Sequence, residues 1–396
     1  MNIYKIDDNL YSVGAKDPQR RIFDCLVHMP AGTTYNSYFI KGEKYNALID
    51  CVDPTKINVL LDNLKELKVS NLDYIILLHT EQDHSGAIHA VRERYPSAKI
   101  VCTAKVSDLL VTHQHLAEEN MMIVAEDDIL DLGGMSLKFF GIPFAHWPDN
   151  TMALLMPQNI LFTSDLYGSH FTERNLADVI TEPYLESLRG YYSEIMMPFR
   201  KIIAKHVVKT EQINPKMLAP SHGPVIPDPA VAISYYKQWT NDDVKPVVTI
   251  PFVSMHDSTK TAVHALADQL KSHGVDVILR NLAETPDSLF IETGKLIYDL
   301  VDAAAIVFAF PTVLGGPHPA ISYSAITANA MMPKTKFMGM ICSYGWATRA
   351  IETVNALTPS FKCTRFDPIL FKGLPTDEEI EKIKAYADEI AAAVLK

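Results

Sequence analysis

Four side chains that can bind a metal fall within six residues, at His79-Thr80-Glu81-Gln82-Asp83-His84. Two imidazoles and two carboxylates in so short a span offer nitrogen and oxygen donors of the kind divalent first-row metals take. They follow the apolar run Tyr74-Ile75-Ile76-Leu77-Leu78, whose length and β-branched content predict a strand buried on both faces. A strand ending there delivers several ligands at its carboxyl end, just ahead of a helix over 87–95. A helix cap would use one such side chain, Asp83 or Ser85, and leave the others unexplained. His146, Asp165 and His222 each close a strand-like run beside turn-forming residues, Pro148, Ser164 and Gly223. Loops at the ends of strands on one edge of a sandwich can converge, and six or seven donors are enough for two metal ions.

The elements that must carry these residues differ between the two parts of the chain. Residues 1–53 read as strands and turns. Leucines at helical spacing follow (Leu60, Leu61, Leu64, Leu67), then the buried strand and further strands over 98–103 and 135–142. A hairpin is expected around Pro157-Gln158, and one long helical region over 185–208. From about residue 245, strands (245–253, 275–279, 303–308, 336–342, 368–371) alternate with helices (259–272, 320–330, 348–357, 377–396). That alternation predicts a doubly wound parallel sheet. The polar patch Asn241-Asp242-Asp243 separates the parts, giving expected domains at 1–244 and 245–396.

Composition bounds the function. A chain of 396 residues is long for one core and points to two domains. The formal charge of −11 argues against a nucleic-acid partner, which would need a basic face. No apolar run is long enough to span a membrane. The amino terminus lacks the basic and apolar regions of a signal peptide. Five scattered cysteines (Cys25, Cys51, Cys102, Cys342, Cys363) form no C-x-x-C pair, which argues against a disulfide framework or a thiolate metal centre. A cytoplasmic location fits best.

In the second part, Ser254-Met255-His256-Asp257-Ser258-Thr259 follows the first strand and opens a helix. Hydroxyls and N–H groups at a helix N-terminus favour a phosphate, although an N-cap alone would look similar. Two further loops follow strands expected to be neighbours: Pro311-Thr312-Val313-Leu314-Gly315 and Ser343-Tyr344-Gly345-Trp346-Ala347. In a sheet of order 2-1-3-4-5, FMN binds at the carboxyl ends of such strands. Tyr344 and Trp346 could shield a flavin ring; the other reading is a core tryptophan and turn glycines.

Together, His79-x-Glu81-x-Asp83-His84, His146-Trp147-Pro148-Asp149, Ser164-Asp165 and Ser221-His222-Gly223 closely resemble the metallo-β-lactamase-like domain of the flavodiiron proteins. The three later loops resemble the FMN loops of that family's flavodoxin-like half. The resemblance spans nearly the whole chain. It implies an N-terminal αββα sandwich followed by a flavodoxin-like sheet. It also implies a non-haem pair of iron ions, one held by His79, Glu81 and His146, the other by Asp83, His84 and His222, with Asp165 bridging. Zinc hydrolases of the superfamily usually have histidine at the position of Glu81, and a carboxylate there shifts preference toward iron. Two departures stand out: Asp257, where a neutral residue is common, and Leu314-Gly315, where polar residues are often found.

The resemblance implies reduction of dioxygen to water, of nitric oxide to nitrous oxide, or of both. Dioxygen needs four electrons; two ferrous ions supply two and one reduced FMN supplies two more. No attached rubredoxin-like or NAD(P)H-flavin module is present, so a separate donor is implied: rubredoxin, a reduced deazaflavin coenzyme or a flavoprotein reductase. Family members pair head to tail, so a homodimer or a dimer of dimers is expected. His28 and Tyr192 lie in or near stretches resembling the family's pocket lining and are candidate proton donors. Two other readings stand beside this one. The first is a zinc-dependent hydrolase fused to a flavodoxin-like module; the second is an electron carrier whose first domain has lost its metals.

Overall fold

A computed structural model describes residues 3–23, 27–172 and 180–396. They divide into two compact units: residues 3–23 with 29–240, and residues 27–28 with 241–396.

The first unit is a sandwich of two sheets. One has seven strands in the order Tyr4–Asp7, Leu10–Ser12, Tyr38–Lys41, Asn46–Ile49, Tyr74–Ile76, Lys99–Thr103, Met121–Val124. Its early strands pair antiparallel; from Asn46–Ile49 onward the pairing is parallel. The other has five, in the order Ile129–Asp131, Ser136–Gly141, Thr151–Met156, Ile160–Ser164, Met217–Pro220. Their facing residues form one core that includes Ile40, Ile49, Ile76, Leu137, Phe139, Leu155 and Phe162. The strand predicted to be buried on both faces is so: Ile75, Ile76, Leu77 and Leu78 are at most 1% exposed. The hairpin forms as expected, with Leu155 opposite Ile160.

The helical region expected over 185–208 is broken. An α-helix over Glu182–Tyr191 passes into a π-helical turn over Tyr192–Met196, then a short 3-10 turn over Met197–Phe199, before Arg200–Ile213 resumes as α. Pro198 supplies no backbone N–H and so cannot sit inside a continuous helix, a cue that leucine and tyrosine spacing conceals. π-turns cost hydrogen-bond geometry and concentrate near functional sites.

The second unit is a parallel sheet in the order Asp276–Asn281, Lys245–Phe252, Ala303–Val313, Phe337–Tyr344, its far edge shared by Thr364–Arg365 and Ile369–Lys372. Numbered along the chain this is the 2-1-3-4-5 order of a doubly wound flavodoxin-like fold. The helix Ser288–Asp299 was not read from the sequence, although Pro286-Asp287 marks a turn just ahead of it; Gly294 interrupts the pattern at its middle. Ser258–Ser272 and Asp377–Val394 pack on one face of the sheet, with Val263, Leu266, Ile383 and Ile390 against Val248, Ile250, Val307 and Ile341.

Candidate metal centre and flavin loops

Each metal-capable side chain is set by the end of a strand and by a hydrogen bond that fixes the loop beyond it. After Tyr74–Ile76, the Leu77 N–H still donates to Val101 (3.0 Å), but the Leu78 N–H turns to the carboxylate of Asp50 (2.8 Å). His79 therefore leaves the sheet at a fixed angle. Residues Gln82–Ser85 form one helical turn, tied by Ser85 Oγ to the Thr80 carbonyl, and the Cys51 N–H donates to the carbonyl of His84. Asp83 and His84 thus lie in a helical turn with Glu81 at its N-cap, and the helix expected over 87–95 follows as Ile88–Arg94. Beyond Ile160–Ser164 the chain turns at Asp165, whose carbonyl accepts the Gly168 N–H. Gly223, at φ +82°, lets the loop after His222 fold back so that its N–H donates to Thr34 Oγ1.

Two groups result: His79, Glu81, His146 and Asp165, and Asp83, His84 and His222. Asp165 reaches both. Its Oδ2 lies 3.4 Å from His79 Nε2 and 3.7 Å from His146 Nε2, while its Oδ1 lies 3.1 Å from His84 Nε2 and 3.6 Å from His222 Nε2. Glu81 Oε2 is 3.1 Å from His146 Nε2 and 3.3 Å from His79 Nε2. Asp83 faces His84 at 3.3 Å and His222 at 3.1 Å. All of the sequence-read metal donors are therefore brought together, each imidazole presenting Nε2 inward. Apart from Glu81 and His146, at 15% and 20%, their side chains are at most 6% exposed.

The charges confirm how strongly the groups act on one another. Burial would raise the Asp165 carboxyl, but His84, His79 and His222 hold it well below the usual range. Burial would likewise lower His84, yet Asp83 and Asp165 bring it up to about 10. Glu81 is pulled down by His146 and His79 against its own burial. The charged forms of Asp165 and Glu81 thus depend on the imidazoles packed against them. Yet both Asp165 oxygens, both Asp83 oxygens and both His84 nitrogens lack a well-formed hydrogen bond within the protein. Acceptors and imidazoles aimed at a common centre without satisfying one another fit metal ions in the place of protons.

A second layer orients the imidazoles, as ligand histidines usually require. His79 Nδ1 lies 3.1 Å from both oxygens of Asp149, which also accepts from Thr80 N and Oγ1. His222 Nδ1 donates to the Thr34 carbonyl at 2.6 Å. Asp149 stands in the quoted His146-Trp147-Pro148-Asp149 stretch, but its role was not read. Tyr191 and His170 also went unread: the His170 ring is 5.0 Å from Tyr191 and 5.6 Å from His222, and Tyr191 is 5.8 Å from His222. Tyr192 is one residue along and points elsewhere. It packs on Tyr236 and Trp239, and its hydroxyl donates to the Trp239 carbonyl at 3.1 Å. His28 lies on the short strand Val27–His28, among the residues that group with the second unit, and is in neither metal-capable group.

In the second unit the three sequence-read loops stand together at the carboxyl ends of three adjacent strands, Lys245–Phe252, Ala303–Val313 and Phe337–Tyr344. Thr259 Oγ1 and Ser343 Oγ are 3.0 Å apart, Thr312 Oγ1 donates to Thr348 Oγ1 at 2.8 Å, and Arg349 N donates to the Gly315 carbonyl. Around these ties the side chains of Met255, Leu314 and Trp346 are left 50%, 101% and 88% exposed. Ser254 Oγ accepts the Lys260 N–H at the start of the helix, a position an anion's oxygen could also fill. Asp257, at φ +59°, makes no capping bond.

A family model described as "ODP family beta lactamase" matches residues 33–223. The nitric oxide reductase of Moorella thermoacetica is 31% identical over 98% of this chain and 98% of its own length. This chain belongs to the flavodiiron protein family. A coenzyme F420H(2) oxidase of Methanothermobacter marburgensis is 33% identical over 80% of this chain and 79% of its own. Among solved structures, the rubredoxin oxygen:oxidoreductase of Desulfovibrio gigas superposes with a TM-score of 0.92 at 25% identity, covering 99% of this chain and 98% of that one. These relatives are oxidoreductases, and so is this chain; they act with different donors and on different gases. Among the described residues no helix is long and apolar enough to cross a membrane.

Proposed function

We propose that this flavodiiron protein reduces dioxygen to water, nitric oxide to nitrous oxide, or both, at a pair of non-haem iron ions fed by FMN. The observation that carries the reading is Asp165, whose two oxygens face two separate donor groups, one completed by the carboxylate of Glu81. His79, Glu81 and His146 would hold one ion and Asp83, His84 and His222 the other, with Asp165 shared between them. The oxygen donor at Glu81 favours iron over zinc, which speaks against a hydrolase.

When bound, the irons and FMN together supply the four electrons that dioxygen takes. The chain's own part is to hold, orient and supply protons. Asp149 and the Thr34 carbonyl hold the Nδ1 side of His79 and His222, so that Nε2 of each can give its lone pair to a metal ion. Burial raises the Tyr191 hydroxyl, and the carboxylates of Asp165, Asp83 and Glu81 raise it further, so it stays protonated and able to donate beside the second group. Tyr191 therefore takes the proton-donor role that the resemblance suggested for Tyr192. For His28 the resemblance is the support, and wild-type turnover in His28→Leu removes it.

The loops 254–259, 311–315 and 343–347 would hold FMN, with the start of the helix Ser258–Ser272 suited to its phosphate and Trp346 to its ring. An exposed Trp346 and Leu314 at such a site suit a head-to-tail homodimer, or a dimer of dimers, in which a second copy covers the ring. Reducing equivalents arrive from a separate donor. Rubredoxin and reduced F420 are the candidates that the relatives' names suggest, and a flavoprotein reductase is the third that the resemblance implies. The four described cysteines are free, which suits a reducing cytoplasm.

The test is anaerobic: chain expressed with iron and riboflavin, metal and FMN counted, then dioxygen and nitric oxide consumption followed with each donor. Two irons and one FMN per chain, with donor-dependent consumption of at least one gas, is the expected result. Zinc at both positions and no gas consumption with any donor overturns the reading.

A further inference from the structure

Asp50 is a carboxylate buried behind the metal-capable groups and outside both of them. It is 2% exposed, and among the described residues no lysine or arginine pairs with it. Its Oδ1 accepts the N–H of Leu78, the residue before His79, at 2.8 Å. Its own N–H donates to Ile76, its carbonyl accepts from Ser37 Oγ at 2.7 Å, and the next N–H, of Cys51, donates to the carbonyl of His84. Asp50 and Cys51 together thus hold the backbone at the two ends of the ligand motif. Asp50 stands at φ +52°, a conformation that Asp and Asn tolerate better than most residues.

A neutral side chain could make the same hydrogen bond, so the charge asks for a separate explanation. A buried carboxylate without a cation costs the fold stability. Burial raises the Asp50 carboxyl, His84, the Leu78 N–H and His79 draw it back, and it stands at about 7. The positive charges that favour its charged form are those of the ligand imidazoles, where metal ions would stand. Two divalent ions bring four positive charges, and Glu81, Asp83 and Asp165 cancel three. Asp149 is already shared with His79 and Thr80.

We propose that Asp50 is a positioning residue of the metal centre, and that its buried negative charge strengthens retention of the ion pair from behind the ligands. It coordinates neither ion. The proposal rests on the dinuclear reading given above. It implies that the metal-free fold is less stable for carrying Asp50 as an acid, and that the loaded protein holds its ions more tightly for it.

Asp50→Asn separates charge from shape, because asparagine keeps an oxygen for the Leu78 N–H and tolerates the same φ. Full-length wild-type and variant chains are titrated with Co²⁺ under a competing chelator, and the metal-free proteins are melted at pH 8. Wild type should bind two ions per chain; one ion or none overturns the dinuclear reading itself. With two bound, the Asn chain should hold them about ten- to a hundred-fold more weakly, as removal of a group behind metal ligands usually does. Its metal-free melting temperature should be unchanged or higher. Wild-type affinity in the Asn chain overturns the proposal. So does a loss of affinity accompanied by a lower metal-free melting temperature, which marks a merely structural role. Asp50→Gly, which also accepts positive φ without the carboxylate, is read the same way if the Asn chain does not fold. Failure of both to fold while the metal-free wild type does overturns it too.

Discussion

The metal-capable groups and the flavin loops both lie at the carboxyl ends of strands, yet they are built in opposite ways. The first is closed: most of its donors are buried, the outer nitrogens of His79 and His222 are held by Asp149 and the Thr34 carbonyl, the backbone of His84 is held by Cys51, and charge is matched to charge. The second is open: hydroxyls tie its floor together while Trp346, Leu314 and Met255 stand in solvent. A small ion with strict geometry needs the protein to fix every donor beforehand. A flavin is large and flat, so most of its binding comes from covered area, and loops that hold one can leave their apolar side chains open until the ring covers them.

The largest expected effect tests how closed the first site is. Asp165→Ala removes the one carboxylate shared by both groups. It should reduce bound metal from two ions to one or fewer per chain and abolish gas consumption. It should also destabilise the metal-free chain by about 3–5 kcal/mol, because buried, protonated imidazoles lose their counter-charge. FMN content should not change. Full metal loading in Asp165→Ala would show that the two groups do not share a bridge.

Next, Glu81→His trades an oxygen donor for an imidazole at the more open of the two groups. Metal selectivity should move from iron to zinc when both are supplied, with turnover falling in proportion to lost iron. Unchanged iron content and turnover would remove Glu81 from the ligand set.

The same contrast explains what could be read from the chain. Metal donors are few, chemically distinctive and grouped by spacing, so His79, Glu81, Asp83 and His84 announce themselves in one motif, and His146, Asp165 and His222 follow from their strand-end positions. The parallel sheet of the second unit was legible because strands and helices alternate there. What stayed hidden depends on direction, not on type. Tyr191 and Tyr192 are the same residue side by side, and only the helix geometry turns one toward His222 and the other toward Trp239. Asp149 and Asp50 act through bonds to residues 70 and 28 positions away, which no local pattern records. The break at Pro198 was a local cue, overridden by the helical spacing around it.

On the open side, Trp346→Ala should weaken FMN binding by about tenfold, from the loss of one aromatic stack worth about 1–1.5 kcal/mol. Metal content should be unaffected, as measured by fluorescence titration of flavin-free protein beside metal analysis. Unchanged FMN affinity would place the ring away from this loop.

The tyrosine pair sharpens the closed side. Tyr192→Phe removes a buried hydroxyl that donates to the Trp239 carbonyl, so about 1 kcal/mol of stability should go while turnover stays. Tyr191→Phe should show the reverse, with turnover lowered and metal content kept. If Tyr192→Phe is the variant that slows gas consumption, the π-turn presents its residues differently in the working enzyme.

The smallest effect concerns the one place where the open site is mismatched in charge. Asp257 stands in the proposed phosphate loop, exposed, at φ +59° and without a capping bond, whereas each carboxylate of the metal site faces an imidazole. A carboxylate near a phosphate repels it, weakly where water screens both. Asp257→Asn keeps a residue that accepts positive φ and removes the repulsion, so FMN should bind a few-fold more tightly, roughly 0.5–1 kcal/mol for an exposed pair. Riboflavin, which has no phosphate, should bind wild type and variant alike. The gain should be larger at pH 8 than at pH 5.5, because the phosphate's second proton leaves near pH 6 and the dianion is the form repelled more. Equal FMN affinity in the two chains at pH 8 would mean that Asp257 is turned away from the phosphate. An equal gain for riboflavin would instead trace the effect to loop conformation and not to charge.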